Sequence, residues 1–310
     1  MLRLAHRILT GVHAHECVLN PEGDKADIAG CRELCEHERK CIRSVTTFVV
    51  DNVAEYYEAD KKAEWEYAVD FPNCTPPFGC FFMEWIRPIV GGNGAWMQNG
   101  VLCWDTPVEM ARKSLAGVWV DPTLIDAIDR TKPARVLIMS PWYATSLAVS
   151  SNAIYVQMRM TYLLDASGRI LENHTSFFGG DRYRQLALDL AAGLHIALLG
   201  ICFMHCKNVA RVDATNSVGP TSKWLRRQKV PQIKYRVLDI NPMREVLRTA
   251  GGGDESGLKK ALHICRGHFA HYSDDKPLFG KYTGQFWKPA HVRGDLKQGA
   301  VVKDYSIKTN

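Results

Sequence analysis

The chain has 310 residues, of which 46% are hydrophobic and 23% are charged, values that are ordinary for a globular protein of one or two domains. Its formal net charge of +6 is unevenly divided. Residues 221–310 carry 18 Lys and Arg against 8 Asp and Glu, a balance of +10, and residues 1–220 carry 21 against 25, a balance of −4. This split favours a polyanionic partner for the basic end.

The elements of the N-terminal half are predicted from periodicity and turn chemistry. His6 and Arg7 interrupt any apolar run at the start, so no secretory signal is predicted. Residues 27–44 predict an amphipathic helix. Residues 80–104 predict a hairpin, because two runs rich in aromatic and β-branched residues flank the turn sequence GGNG. A helix is then predicted with Pro107 at its first position.

The middle of the chain combines strands with one long apolar helix. ARVLIMSPWYA and NAIYVQMRMTYLLD predict strands, and residues 184–206 predict a helix. Asp189 and His195 lie within this apolar run, and a charge at bilayer depth costs about 2.5–3.5 kcal/mol. We therefore expect a buried core helix and no membrane contact. Residues 211–230 are polar and contain Gly-Pro, which predicts a linker or mobile basic loop.

Glu84 is a polar residue inside the apolar strand sequence FFMEW. We expect its carboxylate to face solvent, because alternate residues of a strand point to opposite faces. The other interpretation pairs Glu84 with an arginine from the C-terminal region.

Together these elements predict an α+β fold, with a mixed or antiparallel sheet core and flanking helices. Residues 1–210 are expected to form the core domain. Residues 221–310 are expected to form a basic, β-rich C-terminal region, either separate or packed on the core as one domain.

The ten cysteines have irregular spacings and no secretory context, so we expect reduced thiols in a cytoplasmic compartment. Two clusters match zinc-ligand spacing only loosely, and their i,i+4 repeats favour buried core thiols instead. These clusters are Cys31, Cys35, His37 and Cys41, and Cys202, His205 and Cys206. We therefore predict no metal, and the lack of a Walker or dinucleotide glycine pattern predicts no cofactor.

Residues 261–294 are dense in histidine, arginine and aromatic residues. If LHICRGHFAHY is one strand, its alternation places Arg266, His268 and Tyr272 on the same face. A guanidinium, an imidazole and a phenol can bind phosphate there, and an imidazole that titrates near pH 6.5 can also move a proton. The alternatives are a nucleic-acid surface, a catalytic site and an aromatic corner with only a structural role.

The basic region supplies candidate residues for each of these alternatives. Exposed aromatic rings could stack unpaired bases, and cations could contact phosphates. Asp274 and Asp275 lie in a turn and form no acidic cluster, which disfavours a metal-dependent nuclease. The nucleic-acid candidates are Arg226, Arg227, Arg266, Tyr272, Lys281, Trp287 and Arg293, and the candidates for metal-free catalysis are His268 and His263.

The sequence HICRGHFAHYSDDKPLFGKYTGQFWKPAHVRG, with its H-x2-R-G-H-x3-Y segment, resembles the C-terminal signature of a widespread group of bacterial and phage proteins. That group includes an anti-CRISPR protein directed against a type V effector. The resemblance implies a regulator that acts on a messenger RNA during translation. The insertion LFGKYTG departs from the pattern and leaves the target open. The matching positions are His263, Arg266, Gly267, His268, Tyr272 and Trp287.

Three hypotheses follow from these observations. The leading one is a cytoplasmic phage or mobile-element protein whose basic C-terminal region engages RNA and lowers expression of a message. The second is a protein-binding inhibitor of a host factor or nascent polypeptide, in which the motif has only an architectural role. The third is a metal-independent ribonuclease, and enzymatic activity is the minority interpretation.

Overall fold

The structure is a computed structural model, and it describes most of the chain. The described residues are 3–10, 25–59, 71–88, 94–115, 122–146, 154–156, 158–177, 184–229, 232–240, 261–265, 268–288, 291–293 and 295–300. The chain divides into two compact units. The first unit comprises Met1–Met204 with Arg211–Leu238, and the second comprises His205–Ala210 with Asp239–Asn310.

The first unit is built on one large mixed sheet. Strands β2, β3, β4, β6 and β7 pair antiparallel, and the short strand β1 pairs parallel with both β2 and β9. The order across the sheet is β7-β6-β4-β3-β2-β1-β9-β8, and β5 pairs with β4 beside this path. The strands are β1 (Thr47–Val49), β2 (Cys80–Pro88), β3 (Trp96–Pro107), β4 (Arg135–Thr145), β5 (Ile154–Val156), β6 (Met158–Leu164), β7 (Ile170–Phe177), β8 (Ala210–Asp213) and β9 (Tyr235–Asp239).

Helices flank this sheet, which confirms the predicted α+β class with a mixed sheet core. They are α1 (Leu4–Thr10), α2 (Lys25–Ser44), α3 (Asp51–Ala59), α4 (Val108–Leu115), α5 (Pro122–Thr131), α6 (Arg184–Met204), α7 (Thr215–Val218) and α8 (Ser222–Gln228).

Both faces of the sheet are buried along the middle of β2. Along β2, Phe82 packs in an apolar cluster with Leu4 and Ile8 of α1. The alternate residue Trp85 faces α6, where Gly193 leaves room for the indole: a Cβ at that glycine would lie 3.4 Å from Trp85 Cζ2. The period of two in β2 therefore directs successive side chains into two different helical layers.

Several predicted elements are confirmed. Residues 80–104 form the β2–β3 hairpin, and the helices predicted at 27–44 and 184–206 are α2 and α6. The C-terminal half of α6 is almost entirely buried, as expected of a core helix. Among the described residues, no helix is long and apolar enough to cross a membrane.

Two predictions require correction. Residues 211–230 do not form a linker, because they contain most of β8 together with α7 and α8. The helix predicted to begin at Pro107 begins at Val108, since β3 remains paired with β4 through Pro107. NPMREVLRTA predicts a short helix and GGGDESG a flexible loop, and both segments lie outside the described residues.

The second unit contains two small sheets. Strand β10 (Ala261–Cys265) lies between β13 (His291–Arg293) and β14 (Asp295–Ala300), and β11 (His268–Tyr272) pairs antiparallel with β12 (Gly284–Lys288). The single strand predicted for LHICRGHFAHY therefore corresponds to two strands in different sheets. The division between units falls after Leu238, so the basic region that begins at residue 221 is shared by both units.

Candidate nucleic-acid interface

The β11–β12 hairpin carries the best-described part of the sequence motif. Its register pairs His268 with Lys288, Phe269 with Trp287 and Tyr272 with Gly284. Because strand side chains alternate, Phe269 and Trp287 lie on one face. His268, Tyr272 and Lys288 lie on the other face.

The face with Trp287 is packed inside the second unit. The Phe269 and Trp287 ring centroids are 4.9 Å apart, and Trp287 is only 1% exposed. Asn208 fixes the Trp287 backbone, because its Nδ2 donates to the Trp287 carbonyl at 2.8 Å and its Oδ1 accepts from the Trp287 N–H at 2.9 Å. This burial corrects the predicted stacking role of Trp287, because a ring without accessible surface cannot receive a base.

The opposite face of the hairpin is more open. His268 is exposed, and Tyr272 and Lys288 are half-buried. Lys288 Nζ lies 5.2 Å from the centroid of the Tyr272 ring, a cation–π contact. His268 and Tyr272 share a face as predicted, and Arg266 lies outside the described residues.

The turn that joins β11 to β12 presents Lys281 and Phe279 to solvent. Lys281 Nζ lies 5.5 Å from the centroid of the Tyr282 ring. Phe279 was not singled out by sequence reasoning, because the letters LFGK are equally typical of a buried strand end. Phe279 is 49% exposed, and it alone among the described residues of the second unit is an exposed large hydrophobic side chain.

The remaining motif residues are less completely described. The backbones of His263 and Arg293 are directly paired between β10 and β13. Their side chains, together with Arg266 and Gly267, lie outside the described part of the structure. His263 and His268 belong to different sheets, so the structure does not join them on one strand face.

Arg226 and Arg227 lie on α8, in the first unit. Thr221 caps this helix by accepting a hydrogen bond from the Trp224 N–H at 3.3 Å, and Leu225 anchors it in the core. Within the described part of the chain, the α8 cations make no ion pair with a carboxylate. The exposed cations on this helix and at its C-terminal end are Lys223, Arg226, Arg227 and Lys229.

Two further exposed cations follow α8 in sequence: Lys234 directly precedes β9, and Arg236 lies on it. The carboxylate of Asp213 lies near them. The pKa of Asp213 is lowered mainly by a hydrogen bond from the Thr215 N–H, and also by the positive charges of Arg236 and Lys234. This part of the first unit is therefore predominantly cationic.

A buried polar cluster lies between α1 and the sheet, and we call it the N-terminal cluster. Arg3 forms a two-pronged ion pair with Asp51, at 3.1 and 2.7 Å, and its Nε lies 3.9 Å from a Glu84 oxygen. The other Glu84 oxygen accepts a hydrogen bond from the Ala5 N–H at 2.8 Å. The members of the cluster are Arg3, His6, Arg7, Asp51, Glu84, Gln98 and Tyr235.

Glu84 therefore does not face solvent, and neither interpretation of this residue is correct. It is 1% exposed, and its cationic neighbour comes from the N-terminus instead of the C-terminal region. Burial raises the pKa of Glu84 from 4.5 to about 7, against the opposing effects of the Ala5 N–H and Arg3. The basic residues at the start of the chain, which include Arg3, are the sequence feature that could have indicated the Arg3–Glu84 contact.

His6 and Arg7 extend the same cluster. His6 Nδ1 lies 2.6 Å from the Tyr235 hydroxyl oxygen, and burial lowers the pKa of His6 from 6.5 to about 4. Arg7 donates to the Gln98 side-chain oxygen at 2.9 Å. The His6 ring also meets Trp224 of α8 edge-on, with centroids 6.3 Å apart. The neutral imidazole thus connects the N-terminal cluster to the basic helix.

A second buried carboxylate, Glu38 of α2, is satisfied by the sheet. It accepts hydrogen bonds from Ser140 at 2.7 Å, from the Trp142 indole at 2.8 Å and from Arg159 at 3.0 Å. Each of these donors comes from β4 or β6, so the hydrogen bonds of Glu38 hold α2 against the sheet. Glu38 is therefore a structural residue.

The described cysteines of the two clusters form no disulfide. Cys35, Cys202 and Cys206 are buried, as expected of core residues, and Cys41 is partly exposed. In the described ranges, no group of three or more His, Cys, Asp or Glu residues is arranged to hold a metal ion.

Comparisons of the chain with protein families, curated proteins and solved structures find no match. Functional inference for this protein therefore depends on its own charge distribution and surface geometry.

Proposed function

We propose that this protein is a cytoplasmic RNA-binding regulator that lowers the expression of a target message. The observation that carries the proposal is the exposed row of cations on α8, none of which pairs with a carboxylate in the described part of the chain. A planar guanidinium binds phosphate oxygens through two parallel hydrogen bonds, so adjacent exposed arginines favour a polyanionic ligand.

The way in which α8 is held supports this proposal. Thr221 caps its first turn and Leu225 is buried, so the exposed side chains project from a fixed backbone. Fixed cations lose less conformational freedom when they contact phosphate than cations on a mobile loop. The half-exposed tyrosine and lysine of the hairpin add groups that suit RNA in the second unit.

Translational repression is the part of the proposal that depends on the resemblance of the C-terminal motif to anti-CRISPR-related proteins. In that mode a nascent or host polypeptide would be a second partner. The charge split of +10 against −4 supports a polyanion but does not select the message.

The test is fluorescence anisotropy with labelled single-stranded RNA and the full chain at several salt concentrations. We expect the Arg226→Ala/Arg227→Ala variant to bind about tenfold more weakly at low salt, because two charge-assisted contacts are lost. The slope of log affinity against log salt should also fall by about 1.4, since each phosphate contact on a single strand contributes about 0.7.

The matched control is Arg130→Ala/Arg169→Ala, which removes two other exposed arginines from the first unit. We expect wild-type affinity for this control. Equal loss in both variants would mean that only net charge matters, and no RNA affinity of the wild type would leave the protein-binding alternative. Cleavage of the RNA in EDTA between pH 5 and 8 would instead identify catalysis, with His268 as the first candidate base.

A further inference from the structure

The turn between β11 and β12 holds a phenylalanine in an unusual backbone conformation. Phe279 has φ +53° and Gly280 has φ +69°, and the Lys281 N–H donates to the Leu278 carbonyl at 3.1 Å. Asn, Asp or Gly normally occupies the first of two such positions, because a bulky side chain is disfavoured at positive φ. The sequence thus places a large ring where the backbone disfavours it.

The turn is fixed by additional hydrogen bonds. The Leu278 N–H donates to the Tyr282 carbonyl at 2.7 Å, and the Tyr282 N–H donates to the Leu278 carbonyl at 3.0 Å. Leu278 itself is buried. The backbone on both sides of Phe279 is therefore held in place, and its ring projects from a defined position.

Phe279 differs from the other aromatic residues of the hairpin. Phe286 is 3% exposed and Trp287 is 1% exposed, whereas Phe279 is 49% exposed. A strained backbone and a half-exposed apolar ring both oppose folding stability, so neither feature is explained by the stability of the turn. Strained positions of this kind cluster at ligand-binding sites.

The residues near Phe279 in sequence indicate which class of ligand its ring can bind. Its exposed neighbours in sequence add no large apolar side chain: Lys276, Gly280 and Lys281 are exposed, and Asp274 and Asp275 lie earlier in the same segment. A protein-docking or membrane-inserting surface requires a contiguous apolar patch. A single exposed ring in a segment that also carries exposed lysines instead suits stacking against the flat face of one base, with cations available for the neighbouring phosphates.

We propose that Phe279 is a base-stacking residue that receives an unpaired nucleobase. This inference depends on the proposed RNA-binding function and identifies the contact that the second unit supplies. The two lysines and two aspartates of residues 274–281 balance in charge. The contribution of this turn is therefore stacking, in contrast to the electrostatic contribution of α8.

The decisive variant is Phe279→Asn, which removes the ring and relieves the backbone strain, because asparagine tolerates the left-handed conformation. We expect an unchanged or higher melting temperature, about tenfold weaker binding of single-stranded RNA, and an unchanged salt slope. Phe279→Trp should retain the affinity. Phe279→Leu, which keeps apolar volume but has no π-face, should resemble the asparagine variant.

The outcomes separate this inference from the proposed function. If the wild type and Phe279→Asn bind single-stranded RNA equally while Arg226→Ala/Arg227→Ala is weakened, the stacking inference is wrong and the RNA-binding proposal survives. If the leucine variant binds as the wild type does, the ring contributes as an apolar group and the π-face is not used. If the wild type binds no RNA, both proposals are overturned.

Discussion

Two sets of arginines in the first unit show opposite uses of the same side chain. Arg3 is largely buried, lies within reach of two carboxylates and holds α1 against the sheet. Arg226 and Arg227 are exposed on α8 and make no ion pair with a carboxylate among the described residues. Counting charges along a sequence does not distinguish these sets, whereas identifying the partner of each cation does.

The N-terminal cluster, which contains Arg3, also contacts α8, because the His6 ring meets Trp224 edge-on. The N-terminal cluster therefore supports the element that carries the exposed cations. We therefore expect substitutions in the N-terminal cluster to lower the stability of the fold, and substitutions on α8 to weaken ligand binding without changing stability.

The largest effect is expected from Arg3→Ala. This change leaves the buried Glu84 without the Arg3 cation beside it, and it also removes the ion pair to Asp51. Breaking a buried ion pair from one side costs about 3–5 kcal/mol. We expect a loss in the free energy of unfolding of about 3 kcal/mol, measured by urea titration.

The paired variant for that experiment is Arg226→Ala/Arg227→Ala. Surface substitutions away from caps and packed contacts usually change stability by less than about 0.5 kcal/mol. A comparable loss of stability in both variants would show that the α8 arginines are structural, and the contrast between the two sets would disappear.

A second test uses the opposite titrations of Glu84 and His6. Glu84 has a pKa of about 7 in the folded protein, raised by burial from 4.5, so its contribution is full below pH 4.5 and is lost as pH rises through 7. His6 has a pKa of about 4, lowered by burial from 6.5, so its contribution is full above pH 6.5 and is lost as pH falls through 4. Each shift corresponds to about 3 kcal/mol.

In the wild type these two dependences largely cancel between pH 4.5 and 6.5. Glu84→Gln should therefore reveal the histidine alone, and the stability of this variant should fall as pH is lowered from 6.5 to 4. His6→Asn should reveal the carboxylate alone, and the stability of this variant should fall as pH rises from 4.5 to 7. Thermal melts at pH 4 to 8 provide the measurement, and identical pH profiles for the three proteins would contradict the assignment.

The sequence was a good guide to elements whose pattern is local. The β2–β3 hairpin and α6 follow from turn residues and from an apolar run, and both were predicted. The face assignment for LHICRGHFAHY was not reliable, because alternation requires one continuous strand and this segment contributes to two sheets.

Contacts between residues far apart in the chain could not be predicted from local patterns. The Glu84 environment depends on α1, whose Ala5 is 79 residues away in sequence, and the backbone of the buried Trp287 is held by Asn208, which is also 79 residues away. The exposure of Phe279 depends on the conformation of one turn. Composition indicated that residues 221–310 differ in charge from the rest of the chain. Only the packing shows which aromatic rings of this region are buried and which are exposed.

The smallest expected effect concerns how firmly α8 presents its cations. Thr221→Ala removes the hydroxyl that accepts from the Trp224 N–H, and loss of an N-cap costs about 1 kcal/mol of helix stability. If the fixed backbone of α8 favours phosphate binding, this variant should bind single-stranded RNA a few-fold more weakly with an unchanged salt slope, because every cation remains. Ser222→Ala, which removes the neighbouring exposed hydroxyl, is the control and should bind as the wild type does. Unchanged affinity of Thr221→Ala would show that the α8 arginines act through charge alone, whether or not the helix is firmly capped. The two arginine sets would then differ only in how deeply they are buried.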